Sequence, residues 1–269
     1  MRPFLLRWLR RLLITTPLLL GFLYWASRTE APALAAGVTK EVRHLTLAGQ
    51  KVSVTLYYPA QRDQAPLVVV AHGFTRAKRH MAGWGADLAA QGFIVAVPTQ
   101  PALLDHALNG RVLAELVVTF KTTHRTALMG FSMGGLTTLL AAAQTPVDAW
   151  VGLDPVDMDG SGQKIAASLK MPCAVLQAEP EAWNRQGNAS GIIAALPGET
   201  FVIRVRNATH LDAESPTDLL GQLACGFVDA KRHALFKHYA IAFLKATLMN
   251  DEDAAKVLAG AVGDAALTQ

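Results

Sequence analysis

Polar and apolar positions alternate in only one part of the chain. Val42-Arg43-His44-Leu45-Thr46-Leu47 and Lys51-Val52-Ser53-Val54-Thr55-Leu56-Tyr57-Tyr58 flank Ala48-Gly49-Gln50, the pattern of a hairpin with one face on a core. Beyond it the apolar runs are continuous: Leu67–Ala71, Phe93–Val97, Thr126–Met129, Ala149–Leu153, Cys173–Leu176 and Phe201–Val205. Short unalternating runs of this kind predict strands buried on both faces, as in a parallel sheet. Helix-length segments separate most of them, among them Met81–Gln91, Arg111–Phe120 and Leu136–Ala143, and Tyr239–Leu248 and Glu252–Leu258 close the chain. Strand–helix alternation predicts an α/β fold, a mostly parallel sheet with helices on both faces and an antiparallel hairpin at its start. The chain shows no internal repeat and no low-complexity linker, so one domain is expected over residues 38–269.

The first 35 residues follow a different pattern. Arg2, Arg7, Arg10 and Arg11 precede an apolar run from Leu12 to Ala26, and Ala33-Leu34-Ala35 then offers a small-x-small site. Basic, apolar and cleavable segments in that order predict an export signal over residues 1–35, with the mature chain starting near Ala36. The apolar run contains Pro17 and is shorter than the ~20 residues of a comfortable membrane span. Cleavage is therefore expected, and contact with a membrane would come only through an uncleaved signal.

Composition changes meaning once that segment is set apart. The chain of 269 residues carries 25 basic and 21 acidic side chains; the leader holds five arginines and one glutamate, which leaves 20 of each. The basic balance thus belongs to the leader, and with no basic stripe interleaved with aromatics, a nucleic-acid partner is excluded. At 51% hydrophobic the mature chain can bury a sizeable core, and a monomer is expected. Cys173 and Cys225 match no metal-ligand spacing; in an oxidising compartment they permit either a bridge or two buried thiols.

Candidate chemistry sits where apolar runs end. Met129-Gly130-Phe131-Ser132-Met133-Gly134-Gly135-Leu136 places a serine between glycines, between a strand and a helix. Gly-x-Ser-x-Gly in that context is a nucleophile elbow, raising the hydroxyl beside a helix N-terminus. The elbow requires an oxyanion donor upstream, then an acid and a histidine downstream. After Leu67–Ala71 comes His72-Gly73-Phe74-Thr75, where the Phe74 amide, paired with the Met133 amide after the nucleophile, can face an oxyanion. After Phe201–Val205 comes Thr209-His210-Leu211-Asp212; of eight histidines, His210 alone follows the last of these strands in a loop and is the expected base. The acid has two permitted loops: Asp154-Pro155-Val156-Asp157-Met158-Asp159, where Asp157 and Asp159 read as solvated turn residues, and Gln177-Ala178-Glu179-Pro180-Glu181.

Four stretches, "VVVAHGFTRAKRHMAGWGADLAAQGFIVAVPTQ", "MGFSMGGL", "VGLDPVD" and "THLDAESP", resemble the chlorophyllase and polyester-hydrolase (cutinase-type) branch of the α/β-hydrolases. The resemblance runs from Val68 to Pro216 and implies the α/β-hydrolase fold. A Gly-x-Asp-Pro-Val segment carries the acid in chlorophyllases, which implies Asp154. Cutinase-type enzymes take an aspartate from the next loop, where this chain has only Glu179 and Glu181, so Glu179 stands in reserve. The expectation is an exported serine esterase acting on small or polymeric carboxylic esters through Ser132, Asp154 and His210, with no metal or organic cofactor. A serine at the elbow excludes the aspartate and cysteine versions used by dehalogenases and dienelactone hydrolases. Another serine acyl hydrolase, or a non-catalytic binding protein on the same fold, is the alternative. Trp84, Trp150 and Trp183 are candidates for an acyl cleft, against the blander reading as core.

Overall fold

A computed structural model describes residues 16–17, 19–120, 124–196, 198 and 200–268. Residues 1–15 and 18 of the expected leader, including its four N-terminal arginines, lie outside the described residues. Residues 16–17 and 19–26 are helical (α1), and Leu19, Leu20, Phe22, Tyr24 and Trp25 on it are exposed. Among the described residues no helix is long and apolar enough to cross a membrane.

β1 (Thr39–Leu47) and β2 (Gln50–Tyr58) form the hairpin, with Leu47 opposite Gln50. The two turn residues, Ala48 and Gly49, both have positive φ, 47° and 74°, as a tight hairpin turn matching strand twist requires. β3 (Leu67–Ala71), β4 (Ile94–Pro98), β5 (Thr126–Phe131), β6 (Ala149–Leu153), β7 (Cys173–Gln177) and β8 (Thr200–Val205) are parallel neighbours in the order β4-β3-β5-β6-β7-β8, and the hairpin joins antiparallel to β4 through β2. β9 (Leu267–Thr268) adds an antiparallel edge beside β8 that the sequence pattern did not announce. The connecting helices are α2 (Ala82–Ala90), α3 (His106–Phe120), α4 (Met133–Ala142), α5 (Ser161–Ala166), α6 (Ala189–Ala195), α7 (Leu219–Cys225), α8 (Ala230–Met249) and α9 (Glu252–Gly260).

Burial explains the unalternating strands. Along β3, Val68 and Val70 point to one face, where Trp84 of α2 and Phe236 and Phe243 of α8 pack. Leu67, Val69 and Ala71 point to the other, against Leu113 and Leu116 of α3 and Leu139 of α4. Both faces are covered, so every position of the strand is apolar. This is the α/β-hydrolase fold, and it delivers the carboxyl ends of β3, β5, β6, β7 and β8 to one edge.

Candidate active site

Ser132 stands at that edge between β5 and α4. Its backbone, φ 55° and ψ −125°, lies in a region that non-glycine residues populate only at a cost of roughly 1–3 kcal/mol and only when their surroundings enforce it. Three hydrogen bonds do so: Ser132 N–H donates to Leu153 O at 3.0 Å, and Ser132 O accepts from Gly135 N at 2.9 Å and Val156 N at 3.1 Å. The flanking glycines are steric requirements. A Cβ on Gly130 would sit 2.1 Å from Gly134 O, and one on Gly134 would sit 2.5 Å from Ala71 O. Both clashes are with backbone, so no rotamer relieves them. Among the described residues the Ser132 hydroxyl makes no hydrogen bond; it lines a cavity instead.

His210 opens a short 3-10 turn, His210–Ala213, after β8, and its Nδ1 is 2.6 Å from Asp154 Oδ2. Its ring packs on Phe131 of the elbow at 4.7 Å between centroids. The backbone at the start of the turn is fixed by two side chains. His210 N donates to Glu181 Oε1 at 2.7 Å, and Thr209 N donates to Asp212 Oδ2 at 2.7 Å. Asp212 is fully buried and also accepts from Arg232 Nε at 2.7 Å and Asp229 N at 2.8 Å.

Asp154 directly follows β6, with φ 41° and only 1% exposure. A carboxylate so buried requires donors, and it has three. Oδ1 accepts from Ala178 N at 3.0 Å; Oδ2 accepts from Asn184 Nδ2 at 3.1 Å and from His210 Nδ1. Glu179, the reserve acid, is turned to another task, accepting from Asn207 N at 3.2 Å. Asp157 departs from the expectation of a solvated turn residue. It is buried, and its two oxygens accept from Gly162 N and Gln163 N at the start of α5.

The turn after β3 carries Phe74. His72 anchors it: Nδ1–H donates to Gly73 O at 2.9 Å, and Nε2 accepts from Gln100 N at 3.1 Å. Burial lowers the His72 pKa to about 4, so the ring is neutral, as these two bonds require. Met133 is the first residue of α4, where backbone amides lack intrahelical acceptors. Phe74, Met133, Ser132 and His210 all line one cavity of about 430 Å³. Trp183 lines it too, half exposed, with its indole N–H donating to Ala224 O at 3.0 Å. Trp84 and Trp150 are fully buried, bonded to Ala213 O and Thr138 Oγ1; they are core, not cleft.

Comparison with known proteins adds the family. The model of the family described as PETase, PET hydrolase-like, matches residues 34–259. The chain belongs to the PET hydrolase-like family. Among curated relatives, the bis(hydroxyethyl) terephthalate hydrolase of Streptomyces coelicolor is 27% identical over 190 residues, 65% of this chain and 60% of that protein. Cutinase 1 of Thermobifida cellulosilytica is 26% identical over 215 residues, 73% of this chain and 74% of its own length. A cutinase of Thermobifida fusca is likewise 26% identical over 73% of this chain and 64% of its own length. The chain therefore spans 60% of the length of the Streptomyces protein.

Within this PET hydrolase-like chain, one wall of the cavity rests on a buried ion cluster whose pairing the sequence pattern did not announce. Arg76 donates to Glu214 through Nε at 2.7 Å and Nη2 at 2.5 Å, and Nη1 lies 3.3 Å from Asp218 Oδ2. His80 Nε2–H donates to the same Asp218 oxygen at 2.9 Å, since its Nδ1 accepts from Ala77 N. Asp218 caps α7, accepting from Gly221 N at 2.6 Å, and α7 supplies Leu220, Ala224 and Cys225 to the cavity. Burial lowers the His80 pKa to about 4, aided by Arg76 and only partly opposed by Asp218. Burial pushes the Glu214 carboxyl above the ordinary carboxylate range, and Arg76 only partly offsets it. Cys173 and Cys225 are both free thiols, and burial raises them to about 12 and about 11.

Proposed function

We propose that this chain is an exported serine hydrolase of carboxylic esters. In this reading Ser132 attacks the ester carbonyl while His210 Nε2 removes its proton. The oxyanion is received by the Phe74 and Met133 amides, and the alcohol leaves with the proton from His210. Water, deprotonated by the same histidine, then releases the acid from the acyl-enzyme. Asp154 holds the His210 Nδ1–H, which keeps Nε2 free as acceptor toward Ser132, and stabilises the imidazolium formed in each half-reaction. No metal or organic cofactor has a part in these steps.

The observation that carries the reading is the 2.6 Å contact between His210 Nδ1 and Asp154 Oδ2 beside a strained elbow serine on a shared cavity. The open hydroxyl of Ser132 is compatible with it, because such bonds are often long without substrate and tighten on binding. The names of the terephthalate-ester hydrolase and the cutinases support esters, small or polymeric, as the substrate class, and the largely apolar wall formed by Phe74, Leu104, Val156, Trp183 and Leu220 suits an apolar acyl group. A monomer suffices for the chemistry.

Export is part of the proposal. Residues 1–35 act as the signal, cleaved before Ala36, and residues 38–269 form the mature catalytic domain. The start of the family match at residue 34 and the exposed apolar side chains of α1 support that division. The test is turnover of a short-chain nitrophenyl ester by the mature domain. Asp154→Asn should lower it by about 10⁴-fold, as the corresponding change does in a serine protease, while Glu179→Gln should leave it within about 3-fold. Full activity in Asp154→Asn would contradict the assignment of the acid.

A further inference from the structure

The loop after β7 contributes a buried amide that none of the steps above uses. Asn184 is 1% exposed, and each hydrogen-bonding atom of its side chain is engaged. Oδ1 accepts from Glu181 N at 2.8 Å and Gly187 N at 2.9 Å; Nδ2 donates to Glu179 O at 2.7 Å and Asp154 Oδ2 at 3.1 Å. Backbone N–H groups only donate and carbonyls only accept, so these partners fix which end of the amide faces Asp154. Its donor end meets the same oxygen that receives His210 Nδ1–H.

We propose that Asn184 is a positioning residue for ester hydrolysis, orienting Asp154 Oδ2 toward His210 through its own N–H donor. The inference rests on the triad reading above. An Asp154 oxygen with one donor could rotate about its last side-chain torsion; with Asn184 on Oδ2 and Ala178 N–H on Oδ1, the carboxylate plane is held from both sides. The same loop secures the partner: Glu181, whose amide bonds Asn184 Oδ1, accepts from His210 N. One stretch of six residues, Glu179 to Asn184, thereby holds both the acid and the backbone of the base. Asn184 does not line the cavity, so its effect should fall on kcat and spare KM.

Asn184→Asp is the closest test. It keeps the volume and the acceptor at Oδ1, but replaces the donor facing Asp154 with a second carboxylate oxygen. Like charges at that separation repel, and one of the pair must take up a proton or move. We expect kcat to fall by at least 100-fold with KM within about 2-fold, and the far-downfield proton resonance of the His210–Asp154 bond to shift or vanish. Asn184→Ala removes the donor without adding charge; losing a hydrogen bond to a charged group corresponds to a loss of about 10- to 100-fold. In the unaltered protein the Asn184 side-chain amide protons should exchange slowly and resonate apart, a measurement that needs no variant to fold. Ester turnover within about 3-fold of the parent in both variants, an unmoved downfield resonance, or an amide that exchanges freely would each overturn the proposal. Ser132→Ala in the same assay separates the two layers. If Ser132→Ala is inactive and the Asn184 variants are not, the positioning role alone fails; if Ser132→Ala is active, the triad reading fails first.

Discussion

Replacing Arg76 with methionine isolates the cost of an unpaired charge beneath the cavity wall. The Arg76 side chain is 14% exposed and that of Glu214 is 0%, so the substitution leaves a carboxylate with its fork of donors gone and no access to water. Asp218 fares better, because His80 and the Gly221 amide remain on it. Breaking a buried pair by removing one partner costs about 3–5 kcal/mol, which for a domain of this size is a fall of roughly 6–20 °C in Tm. The penalty should depend on pH in a definite direction. Burial already raises the Glu214 carboxyl, and losing Arg76 raises it further. A group whose folded pKa exceeds its unfolded value of about 4.3 binds its proton more tightly when folded. The variant's deficit is therefore full well above the folded pKa and shrinks as pH falls through it. Urea unfolding of the parent, Arg76→Met, Glu214→Gln and the double variant, at pH 8 and pH 5.5, provides the cycle. The double variant should recover much of the loss at pH 8, and the deficit of Arg76→Met should be smaller at pH 5.5 than at pH 8. A cost below about 1 kcal/mol, or an equal cost at both pH values, would refute the argument.

Three further outcomes follow from the same structure. Gly134→Ala should abolish soluble folded protein or activity, because the added Cβ meets Ala71 O at 2.5 Å; a variant with parental Tm and turnover would show that the elbow is less tightly enclosed. Cys225 should react slowly with a thiol reagent at pH 8, where its raised pKa leaves little thiolate, and Cys173 only on unfolding; a reductant should leave Tm unchanged, and a reductant-sensitive Tm would count against two free thiols. N-terminal mass analysis of secreted material should begin near Ala36, and intact Met1 in a membrane fraction would replace release with anchoring.

Strands of five residues buried on both faces were legible to within a residue, as at Leu67–Ala71 and Ala149–Leu153, because two covered faces leave no polar position to blur the run. Elements held by tertiary contacts alone were not. β9 is two residues paired to the edge of β8, and α5, α6 and α7 span six or seven residues each, too short for an apolar period to declare itself. α4 begins at Met133 rather than Leu136, since the elbow demands helix directly after Ser132 even though Gly134 and Gly135 disfavour it. At the site, the rule that chemistry gathers at strand carboxyl ends singles out Phe74, Ser132, Asp154, Glu179 and His210 from the sequence alone. The residues that support the site had no such signal. Arg76 and Glu214 are 138 positions apart, and Asn184 sits among other polar residues in a loop; only folding brings its amide to Asp154.

The proposed function turns on covalent acylation of one serine, Ser132, by the substrate. Treating the mature protein with a radiolabelled organophosphate, then mapping the modified peptide and measuring residual ester turnover, addresses it directly. One label per chain is expected, on the peptide containing Gly130-Phe131-Ser132-Met133-Gly134, with loss of turnover in proportion to labelling and no label in Ser132→Ala. Labelling of a different serine, or turnover that survives full labelling of Ser132, would contradict it.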